Sequence, residues 1–142
     1  MNSHGGKRHS RAVIDLNAIR HNYALLKQLA GGKRLIAVIK ADAYGHGAFQ
    51  VASALAYADA FAVASVGEAV ALREAGIQQK ILVLGGFIRF DELKTCIDNK
   101  LDSVIHQFDH LQHLTNCNNL DGLQVWVKVD SGMGRLGYQP RR

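Results

Sequence analysis

Short apolar runs recur along the chain, and the stretches between them carry helical spacing. Leu35-Ile-Ala-Val-Ile39, Ala60-Phe-Ala-Val-Ala64, Lys80-Ile-Leu-Val-Leu84, Ser103-Val-Ile105 and Leu123-Gln-Val-Trp-Val-Lys-Val129 are the runs. Continuous apolar runs of this length suit parallel strands buried on both faces. Residues 48–57, 66–75, 90–99 and 108–115 read as the intervening helices. Upstream, Ala12-Val-Ile-Asp-Leu16 predicts a short strand. Asn17 is placed to cap a helix with Ile19, Tyr23, Leu26 and Leu29 on one face, and Gly31-Gly32 ends it.

Five strands separated by four helices imply consecutive βαβ units and a parallel sheet. Such units form either a doubly wound sheet or a (β/α)8 barrel. No Gly-x-Gly-x-x-Gly follows the first run, which weighs against a dinucleotide fold. A barrel needs about 250 residues, so this chain would supply five of its eight strands. The expected fold class is therefore α/β: the N-terminal five βα strands of a (β/α)8 TIM barrel, incomplete, preceded by a short strand and helix. The expected domains are a flexible tail at 1–10, the N-terminal strand and helix at 11–34, and a partial barrel at 35–142. The stop at Arg142, just after a loop, reads as a fragment.

Composition narrows the function. Hydrophobic residues make up 48% and charged residues 20% of the chain, which fits a globular domain rather than a disordered one. The net charge of +5 is partly terminal, in Lys7, Arg8, Arg11, Arg141 and Arg142. No basic face with interleaved aromatics occurs in between, so nucleic acid is not the expected partner. No apolar run reaches the roughly 18 residues of a membrane span. The first ten residues lack the apolar core of a secretory signal. Cys96 and Cys117 have no metal-ligand spacing and suggest a reduced, cytoplasmic compartment.

In a barrel, chemistry gathers where strands end. Lys40 ends the first run, Ser65 and Glu68 follow the second, and His106 follows the fourth. Lys128, Asp130 and Arg135 lie at or after the fifth. A lysine between Val38-Ile39 and Ala41 is partly desolvated, which favours the neutral amine that Schiff-base chemistry requires. The same position also suits a lysine that reaches back to solvent. Tyr44 could donate to an anion or be a half-buried loop aromatic, and His46, between two glycines, reads as structural. Arg135 lies among Gly132, Gly134 and Gly137, where backbone can curl closely around a ligand. Arginine clamps carboxylates well, yet a surface loop arginine would look alike. Lys128 alternates with Val127 and Val129, so it can point inward, where it needs a partner or a modification. His106, His110 and His113 lack the Glu of His-Glu-x-x-His, and no metal is expected.

Ala37-Val-Ile-Lys-Ala-Asp-Ala-Tyr-Gly-His-Gly47 resembles the pyridoxal phosphate (PLP) attachment motif of the alanine racemase family. Residues 12–22, Glu68-Ala-x-x-Leu-Arg-Glu-Ala-Gly-Ile77, Ile81-Leu-Val-Leu-Gly85 and Lys128-Val-Asp-Ser-Gly-Met-Gly-Arg-Leu-Gly137 also resemble it, in the same order. The resemblance covers residues 11 to about 138 and implies a PLP enzyme that interconverts L- and D-alanine and supplies D-alanine for peptidoglycan. It implies a homodimer whose C-terminal β domain is absent from this chain. By position, Lys40 would hold the cofactor and act as one base, and Tyr44 would bind its phosphate. Val38 and Leu84 would line the cofactor pocket, and Arg135 would face the substrate. Lys128 matches a lysine often carbamylated in the family, whose carbamate would hold Arg135. The second base would come from the missing domain, so the isolated fragment is expected to be inactive. Alternatives are a broad-specificity or serine racemase, a fold-type III decarboxylase, a non-catalytic PLP-binding barrel protein, and a truncated product without activity.

Overall fold

The computed structural model describes residues 11–140. The expected tail at 1–10, together with Arg141 and Arg142, lies outside them. The elements, in order, are α1 (Leu16–Leu29), β1 (Ile36–Val38), α2 (Lys40–Gly45), α3 (Ala48–Ala54), β2 (Ala60–Val63), α4 (Val66–Glu74), β3 (Lys80–Val83), α5 (Phe90–Asp98), β4 (Asp102–Ile105), α6 (Phe108–Thr115) and β5 (Val125–Val127).

The strands form one sheet in the order β1-β2-β3-β4-β5, and every neighbouring pair is parallel. Each crossover steps in the same direction, so right-handed connections place every helix on one face. A doubly wound sheet reverses partway and covers both faces. This sheet does not reverse, and it has the arrangement of the first five strands of a (β/α)8 barrel.

Strand alternation divides the side chains accordingly. Phe61, Val63, Ile81 and Val83 face the helices and pack with Ala52, Leu55, Ala69, Leu72, Leu93 and Cys96 in the main core. Burial raises the Cys96 thiol pKa to about 12, so it is an inert apolar group there. On the opposite face, Ala62, Leu82 and Val104 form a small cluster with Ile36 and Leu84. Val38 and Trp126 remain 43% and 44% exposed, which leaves much of that face open in this chain.

The strands' N-terminal ends are tied by polar side chains. Arg73, at the end of α4, donates to the carbonyls of Ile77, Gln79, Asn99 and Lys100 at 2.7–3.2 Å. Asp59 pairs with Lys27 and accepts the Leu35 amide at 2.8 Å. The Lys27 and Leu35 hydrogen bonds hold its carboxyl below the usual range. Lys80 donates to Gln124 at 2.7 Å, and the Trp126 indole donates to Asp102 at 3.2 Å.

Two local expectations are corrected. Ala12–Leu16 is not a strand: residues 11–15 have no regular structure, and Leu16 opens α1. The β-like pattern is present, but among the described residues no strand lies alongside to complete its hydrogen bonds. Nor does Asn17 cap α1. Asp15 is the N-cap and accepts the amides of Asn17 and Ala18 at 2.8 and 3.2 Å. Asn17 is already inside the first turn, with Arg20 donating to its side chain.

Candidate active site

The site begins where β1 ends. Ile39 is buried against the helices and still bonded to β2, its amide donating to Ala62 O at 2.8 Å. Lys40 then enters α2, which turns the wrong way for L-residues. Ala41, Asp42, Ala43 and Tyr44 all have φ of 51–55° and ψ of 38–53°. This is one turn of left-handed helix, costing about 1–2 kcal/mol per residue relative to the right-handed form. Such strain persists only where the surroundings over-determine it.

The clamps are visible. The Ala43 amide donates to Ile39 O and the Gly47 amide to Asp42 O, both at 2.9 Å. Asp42 Oδ1 accepts the Ala48 amide at 2.6 Å, which ties the turn to α3. His46 Nδ1 lies 2.8 Å from Ala43 O, so the protonated nitrogen donates into the turn. Glu68, from α4, accepts the Ala41 amide at 2.9 Å. His46 is structural, as its flanking glycines suggest.

This geometry sets out the candidate residues. The half-buried Lys40 places Nζ 5.8 Å from the Tyr44 ring centroid, at the outer range of a cation–π contact. Tyr44 is 60% exposed, and among the described residues its hydroxyl has no hydrogen-bond partner. Val38 lies beside Ala62 in the sheet register, on the face that carries Leu84. Lys128 is on that face too, two residues beyond Trp126, and donates to Leu84 O at 3.0 Å. Its ammonium is pushed below the ordinary lysine range, first by burial and then by the nearby Arg135 and Lys40 charges. Lys128 therefore points inward, and three cations share one rim. Among the described residues, none of the three has a carboxylate within ion-pair distance.

Arg135 is exposed on a loop organised by Asp130. The buried Asp130 accepts the Gly132 and Gly134 amides at 3.0 Å and the Gln139 side-chain amide at 2.7 Å. Those bonds, the Gly134 amide first, hold its carboxyl below the ordinary range. Tyr138 closes the loop: its amide donates to Lys128 O, and its carbonyl accepts the Asp130 amide, each at 2.9 Å.

The histidines serve the scaffold. The His106 amide donates to His110 Nδ1 at 3.3 Å, and His106 Nε2 lies 2.9 Å from Gly85 O. His110 is fully buried beside Phe87, with ring centroids 4.9 Å apart. A Cβ at Gly86 would strike Val104 O and His110, and Gly86 has φ +72°, so the close packing requires glycine there. Burial, then His106 and His113, lower the His110 pKa to about 4.

Glu68 and Asp130 lie on the rim, where their places after β2 and β5 put them, but their hydrogen-bonding tasks are visible only in the fold. The Ser65-x-x-Glu68 capping box was legible, and both of its reciprocal bonds form. The bond from Ala41 to Glu68 joins residues from different βα units and leaves no local signature. For Asp130, the following Ser-Gly-Met-Gly was the signal: an aspartate can gather amides a few residues downstream.

The comparisons with known proteins bear on the family and the fold. A family model described as alanine racemase, N-terminal domain, matches residues 14–142. An alanine racemase of Pseudomonas syringae pv. syringae (strain B728a) is 48% identical over 134 residues, covering 94% of this chain and 37% of the relative. A catabolic alanine racemase of Pseudomonas aeruginosa is 49% identical with the same coverage. Among solved structures, the biosynthetic alanine racemase of Pseudomonas aeruginosa superposes with a TM-score of 0.85 at 43% identity, covering 89% of this chain and 36% of that one. The Corynebacterium glutamicum alanine racemase gives 0.80 at 39% identity, covering 88% and 37%. The chain thus spans a little over a third of the length of the relatives it matches.

Proposed function

This chain belongs to the alanine racemase family, to the part described as its N-terminal domain, and on that premise we propose that the protein carrying it interconverts L- and D-alanine with PLP held on Lys40. The observation that carries the proposal is the cluster of Lys40, Lys128 and Arg135, with no counter-charge among the described residues, beside an apolar surface that includes Val38 and Leu84. An anionic aromatic phosphate fits such a place. Its aldehyde needs an amine, its ring an apolar floor, and its phosphate nearby donors. Tyr44, 60% exposed and with no hydroxyl partner among the described residues, is the donor we assign to the phosphate.

When bound, PLP supplies a conjugated electron sink that acidifies the Cα–H of an attached amino acid. The residues of this chain do the rest. Lys40 would hold the cofactor through its amine and would remove or return the substrate Cα proton on one face. Arg135 directs its guanidinium at the substrate carboxylate. Its loop is preorganised by Asp130 and does not have to be ordered by substrate. The Lys128 ammonium gives up one proton, and the neutral amine adds to carbon dioxide and gives up a second, forming a carbamate. The half-buried cation becomes an anion that can hold Arg135, relieving the repulsion that now acts on its ammonium.

Racemisation needs a second proton-transfer group on the opposite face, and we place it outside residues 1–142. These residues alone are expected to racemise nothing. Among the described residues, no helix is long and apolar enough to cross a membrane. A cytoplasmic homodimer supplying D-alanine for peptidoglycan completes the proposal.

The test is an assay of D-alanine formation by the full-length protein, with and without PLP, beside its Lys40→Ala variant. The variant should lose about 10²–10⁴-fold or more in turnover, the usual worth of a positioned base. Turnover by Lys40→Ala equal to the parent would remove Lys40 from the mechanism. Efficient racemisation of serine with none of alanine would move the assignment to another substrate.

A further inference from the structure

The Glu68 carboxylate joins two strand ends. Oε1 accepts the Ala41 amide at 2.9 Å, and Oε2 accepts the Ala64 amide at 2.6 Å, with Ser65 N further away at 3.4 Å. Ala41 is the first residue of the left-handed turn and follows Lys40 directly. Its N–H belongs to the Lys40–Ala41 peptide plane, so whatever holds that N–H fixes the direction in which the chain leaves Lys40.

The other clamps on α2 are local. Asp42 reaches only to Ala48, and His46 only to Ala43 and Tyr44. They shape the turn, and apart from Glu68 its tie to the sheet is the backbone chain from the Ala43 amide to Ile39 O and from the Ile39 amide to Ala62 O. Glu68 lies 27 residues from Ala41 and four from Ala64, and it ties the turn to the end of β2. A carboxylate is suited to this, since each oxygen takes one amide in a charge-assisted hydrogen bond. The strained φ/ψ values of residues 41–44 make the tie necessary, because a right-handed or extended backbone would otherwise be favoured.

We propose that Glu68 is a positioning residue for Lys40: by bridging the Ala41 and Ala64 amides it locks the left-handed turn and aims Lys40 and Tyr44 at the cofactor position. The assignment rests on the reading of Lys40 as the PLP lysine. Glu68 does not touch substrate. It acts through the backbone, and its removal leaves Lys40 present but misdirected.

The full-length protein is prepared without cofactor as the parent and as Glu68→Ala, Glu68→Gln, Ser65→Ala and Lys40→Ala. Hydrogen exchange at the Ala41 amide, thermal midpoint and PLP affinity are measured on each. Ser65→Ala removes the capping-box hydroxyl from the same helix start and leaves the bridge. It should lower the midpoint without changing PLP affinity or Ala41 protection. Glu68→Ala should lower the midpoint similarly, expose the Ala41 amide to exchange and weaken PLP binding by about ten- to a hundredfold, the worth of a charge-assisted hydrogen bond. Glu68→Gln keeps an acceptor for one amide and should fall between; if Glu68→Ala does not fold, Glu68→Gln carries the test. Unchanged Ala41 exchange, or PLP affinity equal to that of Ser65→Ala, would overturn the proposal. If the parent binds PLP as tightly without Lys40 as with it, the reading of Lys40 fails, and Ala41 exchange still decides whether Glu68 holds the turn.

Discussion

The two ends of the sheet treat charge in opposite ways. At the N-terminal end charges are spent inside the protein: Arg73 donates to four carbonyls, Asp59 takes Lys27 and the Leu35 amide, and Lys80 and Trp126 engage Gln124 and Asp102. At the C-terminal end, Lys40, Lys128 and Arg135 converge without acidic partners among the described residues, and the backbone is held in a strained left-handed turn. The first end is built for stability. The second gathers like charges and strained backbone at one rim. A barrel's division of labour between its two ends is thus already present in five strands.

The largest test of this contrast crosses the two ends. Lys40→Ala should remove turnover and leave the thermal midpoint close to that of the parent. Arg73→Ala should do the reverse. Losing four charge-assisted bonds to loop carbonyls should cost about 2–4 kcal/mol in a denaturant titration, with turnover per folded molecule unchanged. If Arg73→Ala abolished turnover at full stability, the ends would not be functionally separate.

A smaller effect concerns His110, a structural residue close to the rim. Burial keeps the folded ring neutral down to about pH 4, whereas in the unfolded chain it takes a proton near its ordinary value of 6.5. Its depressed pKa therefore costs nothing above about pH 6.5 and progressively destabilises the fold as pH falls from there toward 4. His110→Gln should narrow the gap between unfolding free energies at pH 7 and pH 5. A gap as wide in the variant as in the parent would assign the acid sensitivity elsewhere.

Much of this was legible in the sequence because it depends on local period. The five apolar runs gave the strands, and their order as neighbours followed from short crossovers. The placing of Lys40, Lys128 and Arg135 at one end of the sheet was legible because they interrupt or follow those runs. What escaped has physical causes. Ala12–Leu16 carries a strand pattern, but a strand exists only with a partner. Ala41-Asp-Ala-Tyr44 contains no glycine and gives no sign of left-handed backbone. That conformation is imposed by Glu68 and other side chains around it, and the glycines at 45 and 47 announced only a turn. Asp15 displaced Asn17 as the cap because its carboxylate reaches the first free amides, a difference of two residues that period alone does not decide.

The proposed function turns on Lys40 as the amine that carries the cofactor. It is tested most directly by treating the PLP-loaded full-length protein with borohydride, which makes the lysine–cofactor bond permanent, and then mapping the labelled peptide by mass spectrometry. A pyridoxyl group is expected on Lys40, in the peptide that contains Ala-Asp-Ala-Tyr-Gly, with no label on Lys128. Label on Lys128 or another lysine, with Lys40 unmodified, would contradict it.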